Sequence, residues 1–101
     1  MRENDSIESL AHVLAHEIGH AIDVEFNTGD ERRAWLRSRG VSEEHAWWPA
    51  SGASDFAVGA GDFAECFAVL QLGGESNSTM ADMCADSMDL LRTLVSDAIA
   101  S

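Results

Sequence analysis

Tyrosine is missing altogether from this chain of 101 residues, proline occurs once, and only six residues are basic against 18 that are acidic. The shortage of positive charge leaves a formal net charge of −12, which repels nucleic-acid phosphate and anionic membrane surfaces alike. It fits a solvated acidic surface, or, as a functional counterpart, a preference for basic or neutral peptides. No apolar run approaches the ~20 residues that cross a bilayer. The opening six residues have neither a basic n-region nor an apolar h-region, so no signal peptide is visible and a cytoplasmic location is the default expectation. The two cysteines, Cys66 and Cys84, lie in no metal-ligand spacing. Each falls on the apolar side of a helix, where core thiols are the default expectation and a disulfide the alternative. No alternating apolar pattern marks a strand. These absences leave a single domain over residues 1–101, all-α, a small bundle of about four helices.

The helices announce themselves by their ends and their stripes. Asp5 or Ser6 can cap the first, which runs to about Phe26 and stops at Asn27-Thr28-Gly29. Along it Ile7, Leu10, Ala11, Leu14, Ile18, Ala21 and Ile22 recur at three- and four-residue spacing and predict the buried face. Asp30 can cap a second helix through Arg39, closed by Gly40, and Ser42 can begin one more turn ended by Pro49. Residues 49–61 read as a loop pinned by Phe56 and Val58. A third helix opens at Asp62 and ends near Leu72. A fourth, capped by Ser78 or Thr79, buries Met80, Met83, Cys84, Ser87, Leu91, Leu94 or Val95, and Ala98.

Chemistry concentrates in His16-Glu17-Ile18-Gly19-His20. At about 100° per residue, histidines four apart stand about 40° apart and one turn above each other, which lets two imidazoles meet one tetrahedral Zn²⁺. Glu17, one residue on, reaches past the ion to water and can act as general base. The histidines lie opposite the apolar stripe, so one face is expected to enter the core and the other to line a cleft. Asp23 falls on the histidine side, either accepting the second ring N–H of a ligand histidine or standing as a solvated carboxylate near the helix end. His12 is expected to line the cleft. Gly19 costs helix stability relative to alanine, which suggests a close approach by another backbone.

A catalytic zinc site needs a third protein ligand. The helix Asp62-Phe63-Ala64-Glu65-Cys66-Phe67-Ala68 carries two carboxylates, three apart, on one face beside its apolar face, and either Glu65 or Asp62 can complete a His₂-carboxylate set. Together the two motifs resemble gluzincin metallopeptidases, in particular the anthrax-lethal-factor and Pro-Pro-endopeptidase group with its bacterial relatives, over residues 7 to 72. The resemblance implies a zinc endopeptidase acting on a peptide or protein, with Glu17 as base and a carboxylate of the second helix as ligand. Two positions depart from that family's pattern. Gly61 stands where the usual ligand Glu would be. No tyrosine is present to stabilise the oxyanion, for which His45 or His12 is a stand-in; Phe56, the nearest aromatic, has no hydroxyl. A sheet preceding the active-site helix, usual in zinc peptidases, has no counterpart, and Trp35, Trp47 and Trp48 are candidate groove walls. The competing expectation is a zinc-binding but non-catalytic module of degenerate peptidase type.

Overall fold

The computed structural model describes residues 3–49, 55–73, 76–81 and 84–100. Among these, four α-helices run in the order α1 (Glu3–Phe26), α2 (Gly29–Ser38), α3 (Gly59–Leu72) and α4 (Met88–Ala100). Two short 3-10 turns, Asp55–Ala57 and Cys84–Ser87, precede α3 and α4. The class is all-α, as the sequence predicts. No helix among the described residues is long and apolar enough to cross a membrane.

The third helix is the centre of the molecule. Every residue from Val58 to Ala68 is buried, because its sequence is apolar or small on all sides and its two carboxylates both have partners. Phe63, Cys66 and Phe67 join Trp35 of α2 and Leu91, Leu94 and Val95 of α4 in one core. Residue by residue, α4 keeps the expected face: Leu91, Leu94, Val95 and Ala98 are buried. It begins at Met88, nine residues later than a Ser78 cap predicts, after a bend at 79–81 and the 3-10 turn Cys84–Ser87; Met83 lies outside the described residues. Ser42–Pro49 likewise forms turns and bends, not a helical turn.

Two caps also differ from expectation. Thr28, not Asp30, caps α2: its hydroxyl accepts from the Glu31 N–H while Glu31 accepts from the Thr28 N–H, the reciprocal capping box. Helix α1 starts at Glu3, ahead of Asp5 and Ser6.

The largest correction concerns which face of α1 is buried. Ile7, Leu10, Leu14 and Ile18 are each more than half exposed. Ala15, His16, Gly19 and Asp23 are buried instead, His16 and Gly19 directly against α3. Helix packing is decided by how closely backbones approach as well as by apolarity. A Cβ on Gly19 would sit 2.9 Å from the Ala64 Cα, so the two helices cross where neither carries a large side chain. The polar groups this buries are all satisfied by partners on other elements, which removes the usual cost of burying them.

A second correction concerns sulfur. Cys66 and Cys84 form a disulfide joining α3 to the turn before α4. Closing a loop of 18 residues stabilises a fold by roughly 3 kcal/mol through the restricted unfolded chain.

Candidate metal centre

Helical spacing on α1 places His16 and His20 one turn apart, their rings 4.6 Å between centroids and nearly perpendicular. Both Nε2 atoms point at one oxygen: Asp55 Oδ2 lies 3.0 Å from His16 Nε2 and 2.6 Å from His20 Nε2. Nδ1 of His16 faces Glu65 Oε2 at 2.7 Å. That carboxylate, 1% exposed, also accepts from His12 Nε2 at 3.0 and 2.9 Å and from the Asn77 backbone N–H at 2.6 Å.

The carboxylate at the Nε2 edge is therefore Asp55, which no motif in the sequence singles out. Gly61 explains how it gets there. A Cβ at that position would collide with the Asp55 main chain and lie 3.1 Å from its Cγ. The space a side chain at 61 would occupy is filled by Asp55, arriving from the turn that precedes α3. Asp55 of the adjoining turn thus stands in the space that Gly61 leaves open on the helix. The available signal was the gap at Gly61 together with an acidic residue six positions before it.

The two expected third ligands take other roles. Glu65 holds the far nitrogen of His16, fixing its ring with Nε2 toward Asp55, the arrangement by which outer carboxylates orient metal-binding histidines. Asp62 is buried beside Arg39 Nε at 2.8 Å and Trp35 Nε1 at 2.9 Å, a structural ion pair inside the core. Asp23 does not bond a histidine. It accepts from Arg32, Asn27 and Trp47 Nε1, tying α2 and the 40s loop to the end of α1. His12 is committed to Glu65, and His45 Nε2 bonds the Ala57 carbonyl at 3.0 Å. Glu17 is exposed on the adjacent face of α1. Phe56 packs edge-on against His16 at 5.9 Å. Of the tryptophans, Trp35 is fully buried, Trp47 packs against the core and Trp48 is half exposed.

Electrostatics follow from this packing. The Glu65 hydrogen bond raises the pKa of His16 above 6.5; burial opposes the rise and Asp55 adds to it. Burial would raise Glu65, but its bonds to His16, the Asn77 N–H and His12 hold it down at about 2. Asp55 is lowered in the same way, burial being outweighed by His20 and His16.

The donor set fits a metal ion. In the metal-free chain a protonated His16 donates Nδ1–H to Glu65 and Nε2–H to Asp55, the state its raised pKa favours; once it loses the Nε2 proton, its lone pair faces the same edge as His20 and Asp55. His16, His20 and Asp55 offer one donor atom each, all within 4.8 Å of one another. Two imidazoles and one carboxylate suit zinc. Compared with protein-family models, curated proteins and solved structures, the chain matches none.

Proposed function

We propose that the chain is a zinc-dependent hydrolase of peptide bonds, with His16, His20 and Asp55 holding the ion and Glu17 as general base. The observation that carries this reading is the convergence of two Nε2 atoms, four residues apart on one helix, upon a single carboxylate oxygen. The resemblance of His16–His20 and of the Glu65 helix to gluzincin peptidases adds to it.

When bound, zinc supplies Lewis acidity, polarising a carbonyl and making water acidic enough to attack at neutral pH. The protein supplies the rest. Glu65 locks the tautomer and direction of His16, and the crossing at Gly19 fixes the spacing between α1 and α3. Glu17, exposed on α1 and next in sequence to His16, takes a proton from the attacking water and returns it to the leaving nitrogen. The acidic surface favours peptides carrying basic side chains.

The test is metal content and turnover together. The purified chain is expected to hold one zinc per molecule, and Glu17→Gln to keep that zinc while losing hydrolysis by 10²–10⁴-fold. A chain without zinc after metal-replete preparation overturns the reading. The absence of tyrosine and the engagement of His12 with Glu65 favour a second reading, a zinc-binding module without catalysis. Stoichiometric zinc with no cleavage across a diverse peptide library selects it.

A further inference from the structure

The metal centre leans on a loop that contributes no ligand. Past the end of α3, the Asn77 backbone N–H donates to Glu65 Oε1 at 2.6 Å. Two residues on, the Thr79 N–H donates to the Phe56 carbonyl at 2.8 Å, and the Ser78 hydroxyl to the same oxygen at 3.2 Å. Phe56 follows Asp55 directly and packs its ring edge on His16. So residues 77–79 brace both carboxylates that face His16: Glu65 through its own oxygen, and Asp55 through the peptide beside it.

This loop is closed by the disulfide. Cys66 adjoins Glu65 on α3, Cys84 lies five residues beyond Thr79, and both sulfurs are buried. With its ends joined, the segment has fewer conformations to lose when residues 77–79 bond to the site, so the brace is held at a smaller entropic cost. We propose that the Cys66–Cys84 disulfide is a positioning element of the metal centre, acting through the backbone of residues 77–79 to set how tightly the site binds zinc. The inference rests on the metal-site reading above. The complete site then belongs to the oxidised chain.

The experiment compares zinc affinity, by competition with a chromophoric chelator, between the oxidised chain and Cys66→Ala/Cys84→Ala, in which no thiol can bind metal on its own account. Circular dichroism establishes that both are folded at the temperature used. At least tenfold weaker binding by the folded double variant is expected, with an altered Co²⁺ d–d spectrum reporting changed coordination. A disulfide that merely adds global stability leaves the affinity and spectrum of a folded chain unchanged, and that result overturns the proposal. Should the double variant fail to fold, Asn77→Pro, which removes the N–H to Glu65 and keeps the disulfide, is expected to show the same loss. Unchanged affinity in that folded variant also overturns it. If the oxidised chain itself binds no zinc, the metal-site reading fails first, and the proposal with it.

Discussion

Asp62 and Glu65, three residues apart and both candidate ligands from sequence, have different partners, and single substitutions separate them. Asp62→Asn breaks a fully buried pair with Arg39, and removing one partner of such a pair costs about 3–5 kcal/mol. Its effect is expected in chemical denaturation, with the zinc affinity of the folded fraction retained. Glu65→Gln loosens His16 directly and is expected to weaken zinc 10–100-fold, measured by the same chelator competition. Asp55→Asn removes the proposed anionic donor, and an affinity loss no larger than that of Asp62→Asn would exclude Asp55 as ligand. The histidine pair was legible because four-residue helical spacing is local information. Asp55 was not: it lies 35 residues from His20, on a turn whose path depends on Gly61 having no side chain.

Protonation belongs to the same scale. In the metal-free chain the raised His16 pKa contributes stability that is fully present below the unfolded value of 6.5 and is lost as pH rises through the folded one. Glu65, lowered from 4.5 to about 2, contributes above 4.5 and loses that contribution as pH falls toward 2. These site contacts therefore stabilise the metal-free chain most between pH 4.5 and 6.5. Zinc must displace the His16 proton, so the stabilisation it adds is expected to grow from pH 6 to 8. Denaturant midpoints with and without zinc across that range measure it.

At the scale of elements, the crossing of α1 and α3 settles what the hydrophobic pattern alone misassigned. A stripe of Ile7, Leu10, Leu14 and Ile18 predicts the core face by periodicity, yet periodicity carries no knowledge of a partner helix buried on every side from Gly59 to Ala68. Such a partner packs where the approach is closest, at Gly19, and His16 beside it is then paired across the interface with Glu65. The close approach at Gly19 was readable because glycine inside a helix asks for a reason; the burial of the histidine face was not. Leu14 is 55% exposed and Phe63 fully buried. Leu14→Ala is accordingly expected to change stability by less than about 0.5 kcal/mol, whereas Phe63→Ala costs about 3–5 kcal/mol. Equal losses in urea denaturation would mean that the apolar stripe, not the histidine face, is buried in solution. The helix ends reflect similar competition, since Thr28 was passed over as a cap although Glu31 completes its box.

Across the whole molecule, three separate elements meet at the centre: α1 brings the histidines, the turn before α3 brings Asp55, and α3 brings Glu65. An ion held by ligands from α1 and from that turn binds the folded chain and has no equivalent site on the unfolded one, so it stabilises by mass action. At a hundred times its dissociation constant that amounts to about 2.7 kcal/mol, which in a domain of this size raises the melting temperature by about 10–20 °C. Zinc is expected to produce this shift and excess chelator to reverse it. Magnesium, which prefers an octahedron of oxygens to imidazole nitrogen, is expected to leave the midpoint near that of the metal-free chain apart from screening. The comparison discriminates because the chain is so acidic: any divalent cation lowers the self-repulsion of a protein at −12, and that contribution is common to both ions. A magnesium shift as large as zinc's would mean that surface charge, not two imidazoles converging with Asp55, is what the metal senses.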